Sequence, residues 1–126
     1  MRAISVNQPW AYAIVHGYKP VENRNWSTEY RGEVLIHAGL KFDDEGYKFL
    51  KKMLPTANLP KKEGFFRGGI VGSAYITDCV KEMESEWFFG KFGFILADCR
   101  PCKPRICKGA LGFFEPDYTT TYKVKR

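Results

Sequence analysis

The chain has 126 residues, the usual size of a single domain. Hydrophobic residues make up 44% of it and aromatic residues 16%, which excludes an intrinsically disordered chain. No apolar run reaches the ~18 residues that a membrane span needs, and Asn7, Gln8 and Pro9 interrupt the first one before a signal peptide can form. We therefore expect one cytoplasmic domain over residues 1–126, with no membrane partner.

The charge is basic, with 20 lysines and arginines, 14 aspartates and glutamates and a formal net charge of +6. The excess lies in two short stretches. The first contains Arg100, Lys103, Arg105 and Lys108, and the second contains Lys123, Lys125 and Arg126. Such clusters favour polyanionic partners, because binding releases counterions from nucleic acid. We predict that the first stretch contacts the backbone of RNA or DNA; the alternative is a basic surface without a partner.

The four cysteines predict thiols without a metal. Cys99 and Cys102 have the C-x₂-C spacing of a zinc knuckle, but zinc ribbons use two knuckles and Cys107 leaves the second incomplete. Disulfides are uncommon inside cells. Cys79 lies in an apolar run, where we expect it to be buried like a small hydrophobic residue. No cofactor is expected.

Hydrophobic spacing and turn residues predict the following elements in chain order. Residues 2–6 are predicted as a strand, residues 9–16 as a helix with Pro9 in its first position, and residues 19–24 as an extended segment. After a polar loop over residues 26–30 come a strand over residues 32–38, a helix over residues 43–53 and a surface loop over residues 55–64. Strands over residues 69–77, 92–97 and 110–114 complete the chain. This pattern predicts an α+β or mostly β fold, a small and mostly antiparallel barrel with one or two flanking helices.

Common catalytic signatures are absent, since no G-x-x-x-x-G-K, G-x-G-x-x-G, H-E-x-x-H or G-x-S-x-G motif occurs. Polar, charged and aromatic residues are instead concentrated near the N-terminus: Gln8, Trp10, Lys19, Glu22, Arg24, Trp26, Arg31 and His37. Alternation along a strand places Glu22 and Arg24 on one face. We expect Lys19 to converge with them at a cleft beside the first helix.

Two interpretations of Lys19, Glu22 and Arg24 stay open. In the first interpretation they bind a nucleotide, with the arginine on phosphate and aromatic rings stacked on the base. In the second they form an ion-pair network that holds the helix against the barrel. Burial beside a glutamate also tunes the pKa of a lysine for catalysis. The glutamates at positions 82, 84 and 86 are either acid–base candidates or a solvated loop face.

Six segments, in order along the chain, carry a resemblance to a known family. They are Ser5–Ala11 (SVNQPWA), Gly17–Trp26 (GYKPVENRNW), Tyr30–Ala38 (YRGEVLIHA), Gly68–Asp78 (GGIVGSAYITD), Phe92–Asp98 (FGFILAD) and Lys108–Phe113 (KGALGF). On these segments the chain resembles the ASCH domain (activating signal cointegrator homology) over essentially its whole length. The resemblance implies a PUA-like β-barrel with a cleft beside the first helix, and a role associated with RNA or DNA.

Members of this family differ in function, and the resemblance implies three alternatives. Some are nucleic-acid-binding modules, some are amidohydrolases acting on N4-acetylcytidine, and a ribonuclease activity is also attributed to the family. The amidohydrolases use a lysine, a threonine three residues later and a distant glutamate. Lys19 matches the lysine, whereas Glu22 occupies the position of the threonine. This departure favours binding over amidohydrolysis.

We therefore predict that the domain binds nucleic acid or a modified nucleoside in the cleft. The predicted ligand-binding residues are Gln8, Trp10, Arg24, Trp26, Arg31 and His37. The alternative is a hydrolase, either a ribonuclease or an amidohydrolase, that uses Lys19 and Glu22 as catalytic residues in the same cleft. A weaker alternative is a protein-interaction module that uses exposed aromatic side chains.

Overall fold

A computed structural model describes residues 1–119; the basic residues Lys123, Lys125 and Arg126 lie outside this range. The elements are β1 (Ala3–Gln8), α1 (Trp10–Val15), β2 (Val21–Arg24), β3 (Gly32–Phe42), α2 (Asp44–Met53), a 3-10 turn (Lys62–Gly64), β4 (Gly69–Val80), β5 (Phe92–Ile106) and β6 (Phe113–Phe114). The predicted fold class, mostly β with two flanking helices, is confirmed. None of the described helices is long and apolar enough to cross a membrane.

The described strands form a single sheet in the order β2-β5-β4-β3-β1-β6. β1 and β3 are parallel, and the other neighbouring pairs are antiparallel. Within residues 1–119 no backbone ladder joins the two edge strands, β2 and β6. Side chains connect these ends instead. Arg24 of β2 donates a hydrogen bond to the carbonyl of Ser5 in β1 at 2.5 Å, and the ring of Trp26 lies edge-on to Phe113 of β6 at 5.3 Å. The sheet thus curls like a barrel and is joined by side chains.

The main core lies between α1 and the sheet. Ile14 and Val15 of α1 are buried in the same cluster as Ile4, Ile36 and Phe94 from the strands. The helix can approach the sheet closely because β4 has a glycine beneath it. A Cβ atom at Gly72 would lie only 2.6 Å from the Cγ1 of Val15. This packing fixes α1, and with it the side chain of Trp10 at the start of the helix.

The second helix is positioned by Asp43. Its side chain accepts a hydrogen bond from the backbone N–H of Gly46 at 2.8 Å, which caps the N-terminus of α2. Two acidic residues lie in the first turn of α2 and two lysines in the last, in line with the helix dipole. The other oxygen of Asp43 accepts a hydrogen bond from the indole of Trp10 at 2.9 Å. One carboxylate therefore connects α2 to the start of α1.

Strand boundaries that differ from the prediction include those of β5 and β6. β5 continues from the predicted end at residue 97 to Ile106, because β4 supplies paired partners as far as Gly69. Pairing of β5 with β2 ends at Ile95, so Pro101 lies where β5 has an open edge and its missing N–H is tolerated. The predicted strand over residues 110–114 is reduced to two residues, since Gly112 adopts a left-handed conformation with φ of +63°.

The expectation that Cys79 is buried is wrong, because it is only partly buried. It lies on β4 beyond Ile76, where the pairing with β3 ends and less of the sheet covers the strand. The fully buried cysteine is Cys107. Among residues 1–119, no group of three or more metal-binding side chains comes together.

Candidate functional site

A cleft of about 1050 Å³ opens beside α1 and β2. Its floor is a row of charged side chains from Lys19, Glu22 and Arg24, and the rings of Trp10, Trp26, Phe89 and Phe113 also line it. The side chains of Lys19 and Glu22 are nearly inaccessible, with relative exposures of 5% and 10%, and that of Arg24 is 20% exposed. The structure thus brings together the three charged residues that the sequence analysis grouped.

The charged row has a defined order. Lys19 donates a hydrogen bond from Nζ to the carbonyl of Val21 at 2.6 Å and lies 3.7 Å from Oε1 of Glu22. Arg24 donates to Oε2 of Glu22 from both Nε and Nη2, at 2.9 and 2.8 Å. Its Nη2 also bonds the carbonyl of Ser5. The glutamate is therefore shared by two cations.

Burial controls the protonation of Lys19. Loss of hydration lowers the pKa of its ammonium group below the ordinary value, the negative charge of Glu22 opposes this effect, and the positive charge of Arg24 adds to it. The charged residues that line the cleft are Lys19, Glu22, Arg24 and Asp43, two of each sign. The formal charges of the cleft lining therefore cancel.

The first aromatic wall starts at α1 and runs toward the solvent. The ring of Trp10 lies 6.1 Å from that of Phe49, which in turn contacts Trp87 at 5.9 Å and Phe89 at 5.8 Å. The indole N–H of Trp10 is held by Asp43, and Nζ of Lys19 lies 5.5 Å from its ring centre. The orientation of the Trp10 ring is therefore fixed at the cleft.

The second aromatic wall is a separate group of rings around Trp26. Trp26 meets the rings of Phe94 and Phe113 edge-on, at 5.1 and 5.3 Å. Tyr30 packs on the far side of Phe113, and the guanidinium of Arg2 lies 3.7 Å above the Tyr30 ring. Because Trp26 and Phe113 both line the cleft, this wall presents apolar ring surface to a ligand.

Asn23 ties the loop of residues 81–91 to the cleft. Its Nδ2 donates to the carbonyl of Trp87 at 2.9 Å, and its Oδ1 accepts from the backbone N–H of Phe89 at 2.9 Å. Phe89 consequently stands at the rim of the cleft. The glutamates of this loop, at positions 82, 84 and 86, are exposed and do not line the cleft.

Three of the predicted ligand-binding residues lie outside the cleft lining. Gln8 is buried, and its amide bonds the carbonyl of Phe66 and the backbone N–H of Tyr12. Arg31 lies on the surface, 3.5 Å from Asp78. The remaining predicted cleft residues, Trp10, Arg24 and Trp26, do line it together with Lys19 and Glu22.

His37 is the third predicted ligand-binding residue outside the cleft lining. It is buried on β3, next to Ser5 of β1. Its Nε2 lies 2.8 Å from the carbonyl of Cys107, and since a carbonyl only accepts, Nε2 carries the hydrogen. Its Nδ1 is then the acceptor for the hydroxyl of Ser5, at 3.0 Å. Burial lowers the pKa of His37, although the bond to Cys107 opposes that shift. His37 is therefore a neutral framework residue in this geometry.

The four cations of the first basic stretch are exposed, and none lines the cleft. Arg100 pairs with Asp98 at 3.0 Å, and Arg105 stacks over the ring of Tyr118 at 3.5 Å. Lys103 and Lys108 form no ion pair within residues 1–119. Lys108 directly precedes the short segment of residues 109–112 that leads into the cleft wall.

Several residues of the cleft lining were not proposed from the sequence, among them Asn23, Asp43, Phe89 and Leu111. Asp43 carries a recognisable signal, because an aspartate before a helix is a typical N-cap, but the signal does not reveal its bond to Trp10. Phe89 and Leu111 lie in irregular segments far from α1 in the chain, and local spacing gives no sign of their position.

A curled, mostly antiparallel sheet with a cleft beside its first helix is the architecture of a small PUA-like domain. The comparison with family models agrees with it, since the ASCH domain model matches residues 4–121. The chain belongs to the ASCH domain family.

Known proteins show similarity over part of the chain. Over 85 residues, 64% of this chain, it is 50% identical to Activating signal cointegrator 1 of Homo sapiens and 28% identical to the protein of the same name in Mus musculus. The chain spans 15% of the length of each of these relatives. The crystal structure of a ZmASCH mutant protein from Zymomonas mobilis matches with a TM-score of 0.50 and 21% identity, over 83% of this chain and 74% of that one. That similarity concerns the fold.

Proposed function

We propose that this domain binds nucleic acid by taking an unpaired base into the cleft. The observation that carries this proposal is one cleft lined by the charged row and by both aromatic walls. Bases stack on aromatic rings, and their edges exchange hydrogen bonds with polar side chains. Trp10 and Trp26 both offer ring surface to the cleft, and the cleft has room for a base and its sugar.

The charge balance supports a base at the floor of the cleft in preference to a phosphate. Phosphate binding calls for an excess of positive charge, whereas the formal charges of the cleft lining cancel. Nε and Nη2 of Arg24 already bond Glu22 and Ser5, and Nζ of Lys19 already bonds Val21. A neutral, planar group with donors and acceptors suits this floor better. The phosphate contact was first expected at Arg24; in this proposal the phosphates bind cations outside the cleft.

The exposed basic stretch provides those cations. Lys103 and Lys108 are free of ion pairs within the described part of the chain, and both are exposed. Membership of the ASCH family, with the association with RNA or DNA that this resemblance implies, supports the same assignment. In this proposal the cleft recognises the base and the basic stretch contributes affinity without sequence preference.

The experiment is a titration of labelled single-stranded RNA, single-stranded DNA and duplex DNA with the domain. We expect single strands to bind more tightly than the duplex, because a paired base has to leave its stack before it reaches the cleft. Replacement of Trp10 by alanine is expected to weaken binding at least about tenfold. Arg31→Gln, outside the cleft, is the control and leaves affinity unchanged. Equal binding by the Trp10 variant contradicts the proposal.

Hydrolysis in the same cleft is the second candidate, and it rests on the lowered pKa of buried Lys19. A lysine with a lowered pKa is a better general base near neutral pH. The reaction tested is the hydrolysis of N4-acetylcytidine by water to cytidine and acetate. Chromatography measures the cytidine that is formed. Turnover that is lost in Lys19→Met supports this candidate, and binding of the nucleoside without release of acetate contradicts it.

A further inference from the structure

Two exposed apolar side chains stand at the rim of the cleft. Leu111 is 99% exposed and Phe89 is 55% exposed, and both line the cleft. Other exposed large hydrophobic residues of the described chain, such as Leu40 and Tyr75, do not line it. Single exposed apolar residues are ordinary on protein surfaces. Two at the mouth of one cleft, on different chain segments, suggest contact with a ligand.

Phe89 is held in place from within the cleft. Its backbone N–H is bound by Asn23, a residue of β2 between two members of the charged row, and its ring packs on Phe49. A ring that is positioned by the framework yet half exposed is a ready stacking surface. Phe89 thus extends the first aromatic wall beyond Trp10 to the solvent.

Leu111 extends the second wall in a different way. It precedes Gly112 and Phe113, and Gly112 has the positive φ that turns the chain into β6. Its neighbours Ala110 and Gly112 have little or no side chain that can cover it. The leucine side chain therefore projects into water without packing against the described part of the protein.

The size and charge of the cleft point to a ligand longer than one nucleoside. A volume of about 1050 Å³ lies at the upper end of the usual range for a pocket that holds a small molecule, which is roughly 300–1,000 Å³. The charges of the lining cancel, so linking phosphates need cations at or beyond the rim. Lys108, three residues before Leu111, is exposed and has no ion pair within residues 1–119.

We propose that Phe89 and Leu111 hold the nucleotides on either side of the base in the cleft. The ligand is then a nucleotide inside a single strand, and a free nucleoside is a poor ligand. This inference rests on the proposed function, because it assumes that the cleft takes a base. It adds that the rim recognises the flanking nucleotides through stacking on Phe89 and apolar contact with Leu111.

The experiment compares ligands of three lengths with rim variants. The ligands are the individual ribonucleosides and deoxyribonucleosides, the corresponding trinucleotides, and single strands of about ten nucleotides. The variants are Leu111→Ser, Phe89→Ala and the double variant, and Leu40→Ser and Tyr75→Ala are matched controls outside the cleft. Leu111→Ser removes a side chain with no packing partner in the described structure, so its folding is not at risk. Isothermal titration gives the affinities.

The double variant is expected to lose at least about tenfold in affinity for trinucleotides and longer strands. Its affinity for nucleosides should change less than about twofold, and both controls should bind like the original domain. Preference for RNA or DNA strands identifies the nucleic acid. Normal binding of trinucleotides by Leu111→Ser and the double variant overturns the inference and leaves the proposed function intact. Equal loss of nucleoside and strand binding also overturns it. Failure of the original domain to bind every ligand contradicts the proposed function itself.

Discussion

Arg24 holds a single oxygen of Glu22 with two of its nitrogens, Nε at 2.9 Å and Nη2 at 2.8 Å. The two residues are two apart on β2 and so point to the same side of the sheet. The other oxygen of Glu22 lies 3.7 Å from Nζ of Lys19. The carboxylate therefore keeps one partner when either cation is removed, whereas both cations depend on the same carboxylate.

Lys19→Met is expected to affect binding more than stability. Glu22 keeps its bonds to Arg24, and the cost of burying an ammonium group disappears, so the free energy of unfolding should fall by less than about 2 kcal/mol. Affinity for single strands should drop at least about tenfold, or roughly 1.4 kcal/mol. Urea melts measure the free energy of unfolding, and binding titrations on the same protein preparation measure the affinity. A variant that binds normally but unfolds easily would show that Lys19, Glu22 and Arg24 are a structural brace.

Glu22→Gln should destabilise the domain more than Lys19→Met. The substitution leaves the buried cations Lys19 and Arg24 without their shared anion, a change that typically costs about 3–5 kcal/mol. Urea melts provide the comparison. Glu45→Gln is the control, because the pair of Glu45 with Lys48 is solvent-exposed and worth at most about 1 kcal/mol. Equal losses in the two glutamine variants would contradict the role assigned to Glu22.

Acidification should weaken the fold through His37. Burial lowers its pKa below the ordinary 6.5, so the folded state binds fewer protons than the unfolded state as the pH falls. The free energy of unfolding is then highest above about pH 6.5 and decreases until the pH has passed the folded-state pKa. Urea melts over this range should show a smaller decrease for His37→Gln. The His16→Gln variant measures the contribution of the other histidine, whose pKa is lowered in the same direction by partial loss of hydration. An unchanged pH dependence in His37→Gln would refute the assignment.

The basic stretch should determine the salt dependence of binding. Each phosphate contact to a single strand contributes about 0.7 to the slope of log affinity against log salt concentration. Changing Arg100, Lys103 and Arg105 together to glutamine should therefore reduce that slope, with little change in the ratio of affinities between sequences. Anisotropy titrations at several salt concentrations measure it. An unchanged slope in the triple variant, or binding that is independent of salt, would exclude these residues from the interface.

The cysteines should not retain zinc. Burial raises the pKa of the Cys99 and Cys102 thiols, which makes the thiolate needed for a metal bond less available. Metal analysis of protein purified without added zinc should find far less than one equivalent. One equivalent of zinc that disappears in Cys99→Ser and Cys102→Ser would mean that the C-x₂-C pair binds metal.

Local sequence patterns located most of the secondary structure. Hydrophobic spacing acts over a few residues, so the two helices and the strands β1 and β3 are visible without the fold. The second half of β5 was missed because its prolines and charges are typical of a loop. It becomes a strand only because β4 pairs with it as far as Ile106.

The candidate site also contains residues that the sequence indicated correctly and residues that it did not. Glu22 and Arg24 are two apart on an extended segment, so they were expected to share a face, and Lys19 was expected to converge with them. The concentration of polar, charged and aromatic residues near the N-terminus also suggested His37 and Gln8 as cleft residues. The register of β3 against β1 places His37 opposite Ser5, where it bonds the carbonyl of Cys107, and Gln8 bonds the carbonyl of Phe66. Register belongs to the pairing of two strands and cannot be read from either one.

Trp10 and Trp26 of the walls were expected from the sequence, but the side chains that complete the walls and rim were decided by tertiary structure alone. Asp43, Phe89 and Phe113 reach the cleft from α2, from the loop before β5 and from β6. The sequence by itself determined the fold class, the family and the charged row, because those depend on patterns and motifs within short segments. Which distant side chains complete the cleft depends on the strand order β2-β5-β4-β3-β1-β6, which brings the two ends of the sheet together. That order arises from long-range pairing and packing, for which local spacing carries no signal.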